Sequence, residues 1–242
     1  MRRGWLICRN CGHVHNGFRL STTQLNVLYQ NFRDSAFREE SPDEYFDRIV
    51  GLPEAESENF QKVSKIHSKL IAEGQTGSGI ALDIGCGGGV LIDSLSKMLP
   101  DWDFYGVEPT PEFADLASRR TVAHVACGYY RGDHFSLGGR AFDLITCCAV
   151  LEHVVRPSNF LSVISRDLAP RGLLYLEVPD LSAFRYLPSD HDHFMVQHIS
   201  FFSTESLLRV LEEQGFEVIE NDVYTTKRGH RNLSVFAKIS NP

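Results

Sequence analysis

The chain has 242 residues, of which 43% are hydrophobic and 23% charged, and its formal net charge is -7. That length and composition are typical of a globular protein with one α/β domain and a small additional segment. Because no run approaches the ~18 apolar residues that span a membrane, and no basic block offsets the acidic balance, we expect neither a membrane nor a nucleic acid as a partner.

The first twenty residues carry a short cysteine motif. Cys8 and Cys11 stand in the pattern Cys-x-x-Cys-Gly of a zinc-knuckle turn, and His13 and His15 follow. A closed zinc site needs four ligands, and a second cysteine pair of this kind does not occur. Residues 1–20 are therefore either a zinc site with Cys8 and Cys11 as ligands or a metal-free remnant of one. The six cysteines follow no disulfide pattern, which is typical of a cytoplasmic protein.

The next segment, residues 21–77, is predicted to be a helical cap. Thr22 or Thr23 can begin a first helix that extends through Phe32. Ser41 precedes Pro-Asp-Glu, a helix start with proline in the first turn and acids near the positive end of the helix dipole. A further helix is predicted from about residue 56 to 72.

Strand and helix patterns then alternate to the end of the chain, which predicts a parallel sheet covered by helices. Strands are expected near 80–84, 103–108, 122–126, 142–148 and 172–178. Helices are expected near 88–98, 111–118, 157–168 and 203–215. The two last strands, 216–224 and 232–239, resemble a closing antiparallel pair. The fold class is therefore α/β, with a seven-stranded, mostly parallel sheet and helices on both faces.

A glycine turn follows the first predicted strand of this sheet. Gly85, Gly87 and Gly89 let the backbone approach a ligand closely, and the following helix offers unpaired N–H groups. Val90 stands where a dinucleotide fingerprint has its third glycine, and no Gly-Lys-Ser/Thr of a P-loop is present. Glu108 ends the second strand, where a carboxylate can accept both hydroxyls of a ribose. The two features predict a nucleotide-like cofactor other than a dinucleotide.

From the glycine turn onward the chain resembles the class I S-adenosylmethionine-dependent methyltransferases. The matching segments, in the order and spacing of that family, are Leu82–Gly89, Tyr105–Pro109, Ala141–Ile145, Val150–Val154 and Leu168–Leu174. The resemblance covers residues 78–242 and implies a Rossmann-like methyltransferase domain. It also implies S-adenosylmethionine (SAM) as cofactor and S-adenosylhomocysteine (SAH) as product.

The resemblance also assigns cofactor contacts. The glycine turn would contact the methionine part, Glu108 the ribose, and the segment around Cys127 the adenine. The end of the fourth strand would pass beside methionine and adenine. The candidate cofactor residues are Asp83, Gly85, Cys86, Gly87, Glu108, Pro109, Cys127, Cys148 and Leu151. Asp83 either braces the glycine turn or touches the cofactor, and both alternatives use the same geometry. An acidic residue usual in the third segment is not obvious, and Asp133 is a substitute.

The histidine-rich stretch 189–204 is the candidate acceptor site, since it follows the fifth strand at the carboxyl edge of the sheet. It resembles the His-x-x-x-x-His-x-x-x-Phe-Ser/Thr signature of methyltransferases of sugar and polysaccharide pathways. His193 and His198 are candidate general bases because imidazole titrates near neutrality, and His153 is a further candidate. Packing and backbone hydrogen bonding are the alternatives for these histidines. A metal site is another alternative, with the ligand types His191, Asp192, His193 and His198.

Together these features predict methyl transfer from SAM to a hydroxyl or carbon of a small molecule, a sugar or a secondary metabolite. Methyltransferases similar to this chain often begin with a zinc ribbon, of which residues 1–20 would be a remnant. The expected protein is a monomer or a homodimer. The rival functions are a non-catalytic SAM/SAH-binding regulatory module and an NAD-linked oxidoreductase. A nucleic-acid methyltransferase would carry an Asn/Asp-Pro-Pro-aromatic motif, which is absent.

Overall fold

A computed structural model describes residues 4–17, 21, 23–24, 27, 40–133, 135, 140–188 and 191–240. The strands are β1 (Trp5–Ile7), β2 (Val14–Asn16), β3 (Ile80–Ile84), β4 (Asp103–Glu108), β5 (His124–Cys127), β6 (Phe142–Cys148), β7 (Leu168–Pro179), β8 (Ser200–Phe201), β9 (Phe216–Thr225) and β10 (Arg231–Ile239). The α-helices are α1 (Pro42–Val50), α2 (Glu58–Ala72), α3 (Val90–Met98), α4 (Pro111–Arg120), α5 (Pro157–Asp167) and α6 (Thr204–Glu213). Short 3-10 helices span Leu151–His153, Leu181–Tyr186 and Asp192–Phe194.

The central sheet has seven strands in the order β5-β4-β3-β6-β7-β10-β9. The first five strands in this order are mutually parallel, and β10 runs antiparallel to both of its neighbours. The predicted α/β architecture with a mostly parallel sheet is therefore confirmed. All five residues of β3 are buried, as expected for a strand in a sheet that is covered on both faces.

Helices cover both faces of the sheet and produce two hydrophobic cores. On one face, α2 and α3 contribute Val63, Ile66, Ile92 and Leu95 to a core that includes Trp102 and Tyr175. On the other face, α5 and α6 contribute Leu161, Ile164, Leu207 and Leu211 to the larger core. The apolar residues of these helices recur at intervals of three and four, so that each helix presents one apolar face to the sheet.

Two helices of the predicted cap are described, and each begins with a serine cap. The Ser41 side chain accepts the N–H of Glu44 in a capping box, and the Ser57 side chain accepts the N–H of Phe60. These bonds satisfy backbone donors that a helix start leaves unpaired. On α1, Phe46 packs against Phe113 of α4. Of the helix predicted from Thr22 or Thr23 to Phe32, the structure describes Thr23, Gln24 and Val27, which are helical, and the Ser21 hydroxyl accepts the N–H of Gln24. The other positions of this predicted helix lie outside the described residues.

The start of β7 differs from the prediction. The segment from 169 to 172 was expected to end a helix ahead of the strand, but α5 stops at Asp167 and β7 begins at once at Leu168. Leu168 pairs with Phe142 of β6, and the register shifts just beyond that pair. Pro170 is tolerated because β10 pairs with β7 only from Leu174 onward, so that this end of β7 has a free edge.

A second, small sheet has the order β1-β2-β8. The first two strands form an antiparallel hairpin, and β8 lies in the histidine-rich segment. The sequence pattern links neither of these segments to the other, since nearly two hundred positions separate them. Within the described residues, no helix has the length and apolar character that crossing a bilayer would require.

Candidate functional site

The glycine turn between β3 and α3 is shaped by backbone conformation. Gly85, Gly87 and Gly89 have φ values of 72°, 54° and 84°, a region that residues with a Cβ rarely adopt. A Cβ on Gly85 would lie 2.4 Å from Val150 Cγ2. Gly89 is the N-cap of α3, and no side chain caps this helix. The turn therefore presents its backbone, not side chains, at the carboxyl edge of the sheet.

Glu108 connects the end of β4 to this turn. Its side chain is buried. The N–H of Gly87 donates to Oε2 and the N–H of Thr110 donates to Oε1, both at 2.9 Å. A carboxylate has about four lone-pair sites, so both oxygens keep acceptor capacity. Glu108 is thus held in one orientation against the glycine turn.

Asp83 is buried at the carboxyl end of β3. Its Oδ1 accepts a hydrogen bond of 2.7 Å from Thr146 Oγ1 on β6. Burial raises the pKa of Asp83 to about 7; Thr146 and the Lys62 ammonium oppose this shift, and the charge of Glu108 adds to it. The carboxylate found to brace the glycine turn is that of Glu108. Asp83 is a second buried acid at the same edge of the sheet, and its role in bracing the turn or in contacting the cofactor stays a prediction.

A partly buried ion pair joins the cap to the same edge of the sheet, since the Lys62 side chain is 19% exposed and that of Glu177 is 6% exposed. Lys62 of α2 lies 3.0 Å from Glu177 of β7. Glu177 also accepts hydrogen bonds from Tyr175, Tyr224 and Asn232. Burial alone would raise the pKa of Glu177, but Lys62 and the two tyrosines bring it below the ordinary value. Glu177 is therefore a satisfied buried carboxylate, and Lys62 holds α2 over the edge of the sheet.

The histidines meet an acid that follows β6. Glu152 is buried, burial raises its pKa to about 8, and its Oε2 has no hydrogen-bond partner among the described residues. His153 and His198 have ring centroids 4.8 Å apart. One oxygen of Glu152 and one nitrogen of each ring lie within 4.8 Å of one another. This group has the donor types to share a proton or to hold a divalent ion.

Backbone carbonyls set the tautomers of the two rings. His153 Nδ1 lies 3.0 Å from the Gln197 carbonyl oxygen, and His198 Nδ1 lies 3.0 Å from that of His193. A carbonyl oxygen only accepts, so Nδ1 is the donor in both rings. The backbone-binding role considered for His153 is thus present. In each neutral ring, Nε2 is then the nitrogen that carries the lone pair.

His193 lies farther from this group. Its ring is buried and stacks on Phe184 at 5.5 Å with an interplanar angle of 10°. The rings of His191 and His230 are 4.7 and 5.2 Å away, and that of His198 is 6.4 Å away. The metal set considered in the sequence, His191 to His198, is not the set whose ligand atoms converge; the side chain of Asp192 lies outside the described part.

The predicted cofactor residues all lie along the carboxyl ends of β3, β4, β5 and β6. Cys86 is buried beneath the turn, Leu151 is fully buried in the larger core, and Cys127 is exposed at the end of β5. Burial raises the pKa of the Cys148 thiol above its usual range, so that Cys148 is a neutral thiol. Pro109 follows Glu108 at the surface and is half-buried.

Cys8 and Cys11 share the turn of the hairpin. The N–H of Gly12 donates to the Cys8 carbonyl at 3.0 Å, and the backbone N–H groups of Cys11 and Asn10 lower the pKa of the Cys8 thiol. The turn therefore has the knuckle form. Over the described ranges, the only group of three or more metal-ligand types is the one containing Glu152, so no third ligand joins the cysteine pair. Zinc at this turn stays a prediction.

Three residues of the site were missed in the sequence. Glu152 carries a detectable signal, since it is an acid directly after a buried strand at the carboxyl edge. Lys62 and Thr146 carry none, because a lysine on a helix and a threonine in a strand are ordinary at those positions. Only the packing of α2 and β6 around Asp83 and Glu177 identifies them.

Comparison with known proteins defines the class. In solved structures the same fold is found in a magnesium protoporphyrin IX methyltransferase from Synechocystis PCC 6803 with bound SAH, with a TM-score of 0.63, 15% identity and coverage of 90% of this chain and 99% of that one. A plantazolicin methyltransferase in complex with SAH superposes with a TM-score of 0.62 at 16% identity, over 89% of this chain and 95% of that one. The fold is therefore that of SAM-dependent methyltransferases.

The family follows from the sequence comparison. Residues 55–221, more than half of the chain, match the family model of a methyltransferase domain. The chain belongs to that methyltransferase family. It is 34% identical over 100 residues to the mitochondrial ubiquinone biosynthesis O-methyltransferase of Schizosaccharomyces pombe, covering 39% of this chain and 36% of that protein. The ubiquinone biosynthesis O-methyltransferase of Haemophilus ducreyi is 27% identical over 114 residues, covering 44% and 48%. The chain thus matches less than half the length of these two relatives.

Proposed function

We propose that the protein transfers the methyl group of SAM to a hydroxyl of a small molecule and releases SAH. The observation that supports this proposal most directly is the position of the Glu108 carboxylate, which is buried and accepts the N–H of Gly87 in the glycine turn. The curated relatives are named as O-methyltransferases, which favours oxygen over carbon as the methylated atom. A sugar or secondary metabolite as acceptor remains a prediction from the histidine signature.

The residues at the carboxyl edge suit this cofactor. The glycine turn gives backbone access, Glu108 keeps lone pairs for a ribose diol, and Asp83 adds a second buried acid close by. Two acids beside a turn are unfavourable for a phosphate and favourable for a cation, as a sulfonium is. When bound, SAM supplies an already activated methyl group. The protein's task is then to align acceptor and methyl and to exclude water.

A hydroxyl acceptor must also lose a proton. The group of Glu152, His153 and His198 lies at the carboxyl end of β6, next to the predicted cofactor site. Because both rings donate through Nδ1 to carbonyl oxygens, Nε2 is the atom that can accept the proton. We assign the general base to this group, with His198 as the first candidate, and we assign His193 to packing against Phe184.

The function is tested in two stages. Calorimetry with SAH measures cofactor binding, and transfer of a labelled methyl group from SAM to a phenol, a catechol and a methyl glycoside measures turnover. With the acceptor that is methylated, His198→Ala is expected to lower kcat about 100-fold or more, the usual contribution of a general base, without changing the Kd for SAH. His191→Ala, in the same segment, is the control. A wild-type protein that binds SAH but methylates none of the probes would favour the regulatory module, and a protein that binds NADH in place of SAH would favour the oxidoreductase.

The affinity for SAM is expected to rise with pH through about pH 7. The pKa of Asp83 is about 7 in the folded protein and near 4 in an unfolded chain. The contribution of Asp83 to the free energy of unfolding is therefore greatest below about pH 4, and this contribution is lost as the pH rises through about 7. The cation binds the charged form of Asp83, so the Kd for SAM should fall by up to about tenfold between pH 6 and pH 8. Calorimetry on Asp83→Asn should show a flat profile and weaker binding at pH 8. Glu152→Gln is the control for the other acid with a raised pKa, and an unchanged slope in Asp83→Asn would contradict the assignment.

A further inference from the structure

The N-terminal hairpin, residues 4–17, is bonded directly to the histidine segment, residues 191–204. Strand β2 pairs antiparallel with β8 at Val14 and Phe201. Asn16, the last residue of β2, continues the contact beyond the residues that pair with β8. Its backbone N–H donates to the Ile199 carbonyl at 2.9 Å, and its Nδ2 donates to the His198 carbonyl at 2.7 Å. One residue of the hairpin thus binds two successive carbonyls of the segment that carries the candidate base.

Aromatic packing fixes the same face. The Trp5 ring lies 4.6 Å from Phe201, edge to face, and 6.2 Å from Phe194. The His13 ring lies 5.0 Å from Phe202. Edge-to-face contacts such as that of Trp5 with Phe201 are favourable arrangements of aromatic rings. Three ring contacts therefore pack the hairpin against the histidine segment, in addition to the backbone hydrogen bonds.

On its other side the histidine segment is bound to the turn after β6. The Ile199 N–H donates to the Glu152 carbonyl at 2.8 Å, and His153 Nδ1 binds the Gln197 carbonyl. The backbone from 197 to 199 is thus held between the turn after β6 and the hairpin. Asn16 is 3% exposed, so its hydrogen bond to His198 is shielded from water, where such bonds are strongest.

We propose that Asn16 is a positioning residue of the active site, which holds the His198 backbone so that the His198 ring faces Glu152 and His153. The inference rests on the proposed function only for the claim that this orientation serves catalysis. A displacement of about 1 Å in a catalytic group can cost about 100-fold in rate. Loss of the Asn16 Nδ2 donor would remove the hydrogen bond to the His198 carbonyl, while the bonds of Ile199 to Glu152 and of His198 Nδ1 to His193 would remain.

A role in stability alone makes a different prediction. The hairpin packs through Trp5 and His13 as well as through Asn16. If its role is only structural, a substitution in it either leaves the hairpin in place or detaches the whole hairpin. Replacing Asn16 would then change the melting temperature without a specific effect on the His198 ring. A positioning role predicts a changed ring environment at His198 in a protein that remains folded and still binds SAH.

The test compares Asn16→Leu, which keeps the shape and removes the donor, with Ile7→Ser, an exposed position on the same hairpin. Asn16→Gln keeps the amide with one more methylene and is the rescue variant. The spectroscopic readout is the ring signals of His198 in 15N-histidine-labelled protein. Hydrogen exchange of residues 197–201 and calorimetry with SAH accompany it. Turnover is measured with whichever of the three probe acceptors wild type methylates.

Asn16→Leu is expected to shift the His198 ring signals, to increase exchange of residues 197–201 and to lower kcat at least tenfold, with the Kd for SAH changed less than threefold. Asn16→Gln should recover part of kcat, and Ile7→Ser should resemble wild type. Unchanged His198 signals in Asn16→Leu, or an equal loss in Ile7→Ser, would overturn the proposal. If Asn16→Leu does not fold, Asn16→Ala takes its place, since it also removes the Nδ2 donor, and unchanged His198 ring signals in that variant would overturn the proposal. Wild type that methylates no probe would remove the proposed function, while the His198 spectra would still decide the positioning.

Discussion

Glu108→Ala is expected to weaken SAH binding, raising the Kd at least 100-fold above that of wild type. Three effects act together. The buried N–H groups of Gly87 and Thr110 lose their acceptor, each at about 1–3 kcal/mol. The glycine turn loses the side chain that holds it against β4. The ribose diol of the proposed cofactor loses its acceptor, and a 100-fold change corresponds to about 2.7 kcal/mol.

The measurement is calorimetry with SAH together with thermal unfolding. Glu112→Ala is the matched control, because Glu112 is an exposed acid in the first turn of α4. Glu108→Gln separates the effects, since it keeps the size of the side chain and removes its charge. We expect it to unfold at a temperature closer to wild type than Glu108→Ala and still to bind SAH weakly. Binding within threefold of wild type in Glu108→Ala would show that this carboxylate does not contact the cofactor.

The second large effect is expected on stability. Lys62→Met should lower the free energy of unfolding by up to about 3–5 kcal/mol, because it leaves the buried Glu177 carboxylate without its counter-ion. Methionine keeps the length of the lysine stem but leaves Glu177 charged and buried, with Tyr175, Tyr224 and Asn232 as its remaining partners. Above its ordinary pKa the carboxylate then has no counter-ion within hydrogen-bonding distance among the described residues.

Urea unfolding at pH 7.5 measures this loss. Lys65→Met is the control on the same helix, because Lys65 pairs with the exposed Asp222 and such pairs contribute about 1 kcal/mol or less. The double variant Lys62→Met with Glu177→Gln should recover part of the loss, since it removes the stranded charge. A loss equal to that of Lys65→Met, or a double variant no better than the single one, would show that the pair is not effectively buried.

The site could be predicted from the sequence only where its residues follow strand ends. Asp83, the glycines of the turn and Glu108 stand at such positions, and a parallel sheet brings the carboxyl ends of its strands to one edge. Glu152 stands at a comparable position beside His153, but a single acid in a helical turn is common. For Asp83 the sequence allows two roles, bracing the glycine turn or contacting the cofactor. Its observed partner, Thr146 Oγ1, lies on a neighbouring strand, and the residues around Asp83 in the sequence do not identify it.

The sequence by itself determined the alternation of strands and helices, the glycine turn and the seven strands, because side-chain periodicity and backbone preferences are local properties. Only the tertiary structure decided that β10 enters between β7 and β9, that Lys62 meets Glu177 across 115 positions, and that Asn16 meets His198 across 182. Such contacts depend on how whole elements pack against one another, which hydrophobic burial decides. The residues next to Lys62 or Asn16 in the sequence therefore carry no pattern that identifies the distant partner. The proposed acceptor site is built mainly from contacts of this second kind.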